Sequence, residues 1–159
     1  GYTYGANGIW QVNTEDVPYG PSPHGASWGN TPWTEAYRLP GSTQVALGKR
    51  LLQRYPWWRF ENHQEWIQPA ASSQDYRGPY VAGVPGQVRV IYFPRPIGPW
   101  NKGLSVQGLE PGISYRAFFW NPTNGQEYPL GAVPADDSWA VPAPPIIQDW
   151  VLVLERIES

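Results

Sequence analysis

Residues 80–93 read YVAGVPGQVRVIYF, and the reading of the C-terminal half turns on them. Val88, Val90 and Tyr92 alternate with Arg89, Ile91 and Phe93, so side chains point to opposite sides with a period of two, which is the mark of a strand. The Pro85-Gly86 dipeptide ahead of them is a turn signal, and the stretch is one arm of a hairpin. Downstream, Tyr115, Ala117 and Phe119 alternate with Arg116, Phe118 and Trp120 before Asn121-Pro122-Thr123-Asn124-Gly125 turns the chain towards Gln126-Glu127-Tyr128. Trp150 to Leu154 is apolar at every position, which predicts a central strand of a sheet covered on both sides. Short strands separated by Gly/Pro turns point to a compact antiparallel sandwich or barrel.

Upstream the pattern is different. Gly1 to Trp10, GYTYGANGIW, reads as a short strand giving way to a loop, and Gln11 to Asn30 is a Pro- and Gly-rich loop longer than the ~12–15 residues that compact domains usually carry. Thr31-Pro32 fits a cap and first helical position, with Trp33, Ala36, Tyr37 and Leu39 at near-helical spacing until Pro40-Gly41 stops the segment. Ser42 can cap a second helix, where Val45, Leu47, Leu51, Leu52 and Tyr55 form an apolar stripe and Lys49, Arg50, Gln53 and Arg54 a polar face, until Pro56 ends it. Pro69 to Gln74, PAASSQ, looks like a linker, so the chain divides into 1–69 and 70–159. The first part, one strand and two helices, is too small to bury its own core and needs other strands beside it.

The composition narrows the function classes. Among 159 residues, 11 Lys+Arg against 13 Asp+Glu give a net charge of −2, which argues against a basic nucleic-acid footprint or a polybasic membrane patch. With no Cys, disulfides and thiolate metal or redox sites are excluded. No apolar run approaches the ~20 residues that span a bilayer. The lack of Met, with a start that already looks like the inside of an element, points to a processed or excised piece. There are 10 Trp, 10 Tyr and 4 Phe, enough large apolar groups to build a core despite 17 Gly and 19 Pro.

No metal spacing, nucleophile elbow, phosphate loop or dinucleotide fingerprint is present, and neither cofactor nor metal is expected. His24 and His63 are far apart and read as structural. Paired carboxylates are what glycosidic hydrolysis needs. The candidates are Glu15, Asp16, Glu35, Glu61, Glu65, Asp136, Asp137 and Asp149, and the adjacent pairs 15/16 and 136/137 read as solvated loop charges. Aromatics are the stronger signal, because sugar C–H faces stack on Trp and Tyr while hydroxyls bond to Asn and His. Tyr4, Asn7, Trp10, His24 and Trp28 suit a carbohydrate site where a strand end meets a long loop. Trp120, Trp150 and the Trp57-Trp58 pair are expected to pack in the interior.

GYTYGANGIWQ at 1–11, followed by WTEAYRLPGS at 33–42, resembles the eighth strand and closing helix of the barrel in apiosidase-like glycoside hydrolases. The later part is similar to their C-terminal module, often labelled collagen-binding, through VIYFP at 90–94, FFWNPTNG at 118–125 and DWVLVLE at 149–155. The fold class this implies is α+β overall: the last strand and helices of a (β/α)8 TIM barrel (1–69), incomplete in this chain, followed by an antiparallel β-sandwich accessory domain (70–159). Barrel active sites lie at the C-terminal ends of the strands. The resemblance therefore gives Tyr4, Asn7 and Trp10, with His24 and Trp28, a substrate-lining role. It places the catalytic carboxylates upstream, leaving no catalytic residue here. The family often has His where this chain has Tyr2 or Asn7.

The function implied is that of the C-terminal part of a glycoside hydrolase acting on polysaccharide side chains or oligosaccharides by carboxylate acid/base catalysis. Its expected partners are the carbohydrate substrate and a second chain or segment carrying the rest of the barrel, with no nucleic acid and no membrane. A cysteine-free chain fits a secreted or periplasmic enzyme. The alternative is a non-catalytic β-sandwich module that binds carbohydrate or matrix protein through its aromatics.

Overall fold

The computed structural model describes residues 33–36, 38–72, 74, 78–94 and 103–158. The strand expected at Gly1–Trp10 and the loop at Gln11–Asn30 lie outside the described residues, and with them the barrel part of the fold class.

A short helix α1 (Trp33–Ala36) precedes the longer α2 (Pro40–Leu52). Pro40-Gly41 does not stop a helix, as the sequence suggested; it opens one. Leu39 is in extended backbone at the cap position, Ser42 lies inside the helix, and Pro40 at the first helical position needs no amide donor there. Lys49 and Arg50 in the last turn match the negative end of the helix dipole. After a turn the chain makes one 3₁₀ turn at Trp57–Arg59 and another at Gln64–Trp66.

Among the described residues nine strands follow or interleave: β1 (Glu61–Asn62), β2 (Ile67–Gln68), β3 (Tyr80–Val84), β4 (Val88–Phe93), β5 (Ser105–Val106), β6 (Tyr115–Trp120), β7 (Glu127–Ala132), β8 (Trp139–Ala140) and β9 (Trp150–Arg156). They form a six-stranded antiparallel sheet in the order β1-β3-β4-β9-β6-β7 and a three-stranded one, β2-β5-β8. The expected hairpin pairs β3 with β4 through Pro85-Gly86, where Gly86 takes φ +70°, a region a side chain rarely adopts. β6 and β7 form the second hairpin, with a register shift at Ala117/Phe118. Pro129 is tolerated in β7 because that strand is an edge.

β9 lies between β4 and β6, as its unbroken apolar run predicts. Alternate residues feed two cores. Val81, Ile91, Phe93, Tyr115, Ala117, Phe119, Trp150, Leu152 and Leu154 meet Ile67 and Val106 of the smaller sheet in one cluster. Val84, Val88, Val90, Phe118, Trp120 and Val153 face the other way and meet Leu47 and Leu51 of α2. Two antiparallel sheets thus share a core as in a sandwich, and a helix covers the outer face of the larger. Each large apolar side chain buried this way contributes roughly 1.5–3 kcal/mol.

β1 and β2 lie ahead of the expected division at 69/70, yet they are hydrogen-bonded to β3 and β5. The sequence showed no strand there, since two-residue strands are too short to display a period.

Candidate functional site

Tyr4, Asn7, Trp10, His24 and Trp28, the proposed sugar-lining residues, all lie outside the described residues, as do Glu15 and Asp16. The later carboxylates are placed. Glu35 on α1 and Glu61 on β1 are exposed, as are Asp136 and Asp137, the last two in keeping with solvated loop charges. Asp149 accepts a hydrogen bond from the Tyr92 hydroxyl at 2.7 Å. Burial and then that bond push the Tyr92 hydroxyl well above its usual range, so it stays a donor. Among the described residues, no three His, Asp or Glu side chains are grouped to hold a metal ion, and no helix is long and apolar enough to cross a membrane.

A buried cation organises the inner core. Arg89, on β4, is fully buried. Its Nη1 donates to the Gln107 carbonyl at 2.7 Å, and Nη2 donates to the Gly108 carbonyl and to Glu110 Oε2, the last at 2.8 Å. The guanidinium carbon lies 4.1 Å from the Trp66 ring centroid, close enough for a cation–π contact. Glu110 also accepts from the Tyr115 hydroxyl at 2.5 Å and from the Gly86 amide at 3.0 Å, so one carboxylate ties the hairpin turn to β6. Burial alone favours the neutral acid, but the bonds from Tyr115 and backbone amides and the Arg89 charge outweigh it, and the Glu110 pKa falls. Burial and the same bond raise that of Tyr115. A carboxylate held ionised with its oxygens occupied is a brace and cannot deliver a proton at neutral pH.

His63 stacks on Trp66 with ring centroids 3.8 Å apart and planes 7° from parallel, while Nδ1 lies 2.8 Å from Glu65 Oε1. Trp66 therefore touches both His63 and Arg89. The structural reading of His63 fits this geometry.

An open cleft of about 610 Å³ lies where the segment after α2 meets the end of β9, lined by Tyr55, Gln87, Glu155, Arg156 and Glu158. The Tyr55 hydroxyl donates to Glu155 Oε2 at 2.6 Å, and Arg116 pairs with the other oxygen, Oε1. Burial first and this bond second hold the Tyr55 hydroxyl protonated far above its usual range. With both Glu155 oxygens committed, the cleft joins the helical segment to the sheet and offers no free acid/base pair at that carboxylate.

Trp120 and Trp150 are buried as expected; the Trp150 Nε1 donates to the Ile146 carbonyl at 2.9 Å. Trp57 and Trp58 are not. They are 52% and 71% exposed, with rings edge to face at 6.2 Å and 83°. They stand on a single 3₁₀ turn whose residues are all left outside both cores, a placement that an apolar pair after a helix does not announce.

The family whose model matches is the apiosidase-like catalytic domain, over residues 1–59. A solved structure named glycoside hydrolase is 17% identical with a TM-score of 0.63, covering 87% of this chain and 30% of its own. A glycoside hydrolase of family 5 from Bacteroides vulgatus is also 17% identical, with a TM-score of 0.59, covering 91% of this chain and 29% of its own. At that identity the likeness shows the fold alone, and this chain spans less than a third of the length of either. No curated protein matches. Residues 1–59 thus match the model of an apiosidase-like catalytic domain, in keeping with the resemblance, on a chain whose fold is similar to parts of solved structures named glycoside hydrolase. A glycosidase family is what these findings support together.

Proposed function

We propose that the chain is the C-terminal part of a glycoside hydrolase that cleaves polysaccharide side chains or oligosaccharides by carboxylate acid/base catalysis. The observation that carries this reading is the apiosidase-like catalytic-domain match over residues 1–59, directly joined to a two-sheet module. Residues 1–69 supply the last βα unit of a (β/α)8 barrel, and the catalytic acid and base come from strands upstream. The sheets brace that barrel, because the polar groups described above are spent on holding elements together. Tyr4, Asn7 and Trp10 line the sugar pocket at the strand's C-terminal end, with His24 and Trp28 on the loop beyond. The enzyme works outside the cytoplasm, secreted or periplasmic, on extended carbohydrate.

The test is the polypeptide extended upstream through the barrel, assayed for reducing-sugar release from plant and microbial polysaccharides. Hydrolysis is expected, with Tyr4→Ala, Asn7→Ala and Trp10→Ala each raising KM by about tenfold through lost substrate contacts. A folded, extended polypeptide that releases no sugar, or variants that keep the parent KM, would count against it.

A further inference from the structure

We propose that Asn124 is a site of spontaneous deamidation, and that its conversion to isoaspartate loosens the contact between α2 and the six-stranded sheet. The reaction needs only water and is independent of the glycosidase reading.

The sequence supplies the chemistry. Asparagine closes a succinimide ring most readily when glycine follows it, because no side chain shields the attacking amide nitrogen. The pair occurs at Asn7-Gly8 and at Asn124-Gly125, and the second lies among the described residues. Asn121 cannot react this way, since the nitrogen of Pro122 bears no proton.

The turn supplies the geometry. Asn124 is exposed between β6 and β7, so water reaches it. Its Oδ1 accepts a hydrogen bond at 2.9 Å from the Gln126 amide, two residues on. That bond folds the carboxamide back along the Gly125 peptide and polarises its carbonyl, which brings an activated Cγ to the Gly125 nitrogen. The opposing restraint is the Gly125 N–H, which donates to the Asn121 carbonyl at 2.8 Å. Attack waits for that bond to open, and an exposed turn opens far more often than a sheet unfolds.

In the reaction the Gly125 nitrogen bonds to Asn124 Cγ and gives up its proton through water. The Cγ–Nδ2 bond breaks, and the departing nitrogen takes up a proton and leaves as ammonia. Water then opens the ring. Its attack at Cγ gives aspartate, whereas attack at the Asn124 backbone carbonyl carbon gives isoaspartate, whose main chain runs through Cβ and Cγ and is one carbon longer.

That lengthening falls where α2 meets the turn. A Cβ placed on Gly125 would lie 2.9 Å from Leu47 Cδ2 and 3.3 Å from Trp120 Cζ2, so the glycine backbone already packs against both helix and sheet. Just past the turn Glu127 pairs with Arg54 at 2.5 Å, and the Arg54 guanidinium carbon lies 4.9 Å from the Trp120 ring centroid. These contacts share one short path of main chain between β6 and β7, and a close-packed joint does not absorb an added carbon without moving.

The experiment holds the 159-residue chain, carrying Asn7→Ser to silence the other pair, in warm, mildly alkaline buffer beside a peptide of residues 118–130. Mass spectrometry of proteolytic fragments follows a gain of about 1 Da at Asn124, and isoaspartyl methyltransferase labelling tells isoaspartate from aspartate. The folded chain should convert at Asn124, mainly to isoaspartate, roughly tenfold more slowly than the peptide. In the converted chain, backbone hydrogen exchange across residues 40–52 should quicken, while Asn124→Asp, which carries the charge on an unaltered main chain, should exchange as the parent does. An Asn124 still intact after about 100 half-lives of the peptide would overturn the site. Exchange in α2 unchanged by conversion, or equally quickened by Asn124→Asp, would overturn the loosening.

Discussion

The two faces of the six-stranded sheet are covered in different ways. The inner face meets a second sheet and a buried cation, so that Ile91, Phe93, Phe119, Trp150 and Leu152 lose nearly all contact with water. The outer face meets one helix, whose Leu47 and Leu51 complete a smaller cluster with Val88, Val90 and Val153. The covering layer of the first face is the three-stranded sheet β2-β5-β8. That of the second is α2, which lies within the stretch that matches the apiosidase-like catalytic-domain model. The difference separates a core closed by a second sheet from a smaller one closed by a single helix.

Substitutions can break this contrast. Trp150→Ala removes the largest fully buried side chain, with its contacts to Phe119 and Tyr128 and its hydrogen bond to Ile146. A loss of about 3–5 kcal/mol is expected from urea denaturation, the range for a large buried aromatic. Leu51→Ala on the outer face should cost about 2–5 kcal/mol, towards the lower end because the cluster it leaves is smaller. If it costs nothing, α2 is not part of the folded unit.

Gly83→Ala is expected to cost about 1–3 kcal/mol as overpacking. A Cβ at Gly83 runs into the Val88 carbonyl oxygen and lies 3.0 Å from Trp66 Cζ3, and backbone on the paired strand has little room to give. Val45→Ala, two residues from Leu47 on the opposite side of the helix, should change the stability of the 159-residue chain by no more than about 0.5 kcal/mol, since the side chain is already in water. A loss as large as that of Leu51→Ala would erase the distinction between the two sides.

Acid sharpens the same contrast. Glu110 has a folded-state pKa below its ordinary 4.5, so its ionised form stabilises the fold at neutral pH, and that contribution is lost as pH falls from the ordinary value through the lowered one. Stability measured by chemical denaturation should therefore drop below about pH 4.5. Glu110→Gln should flatten that drop while lowering stability at pH 7, because Arg89 keeps its carbonyl partners but loses its counter-charge.

The β part was legible wherever a strand was long enough to show a period. The hairpin at 80–93, the Tyr115–Trp120 strand and the central position of Trp150–Leu154 all follow from alternation or its absence. The strands at 61–62 and 67–68 have no period to read. Arg89 shares its side of the strand with Ile91 and Phe93, and its burial depends on carbonyls about twenty residues downstream that only the fold brings close. Pro40-Gly41 reads equally as a stop and a start, and here the proline fills the first helical position. The tryptophans at 57 and 58 were expected inside because large aromatics usually are. They lie outside both cores because the 3₁₀ turn that bears them runs past the end of α2. The sugar-lining residues rest on the resemblance and on loop chemistry alone.

The most direct measurement is a crystal structure of the extended polypeptide. The expected result has residues 1–10 hydrogen-bonded in parallel between two barrel strands. Residues 1–10 added instead as an antiparallel strand at the β1 or β7 edge, with no barrel present, would contradict it.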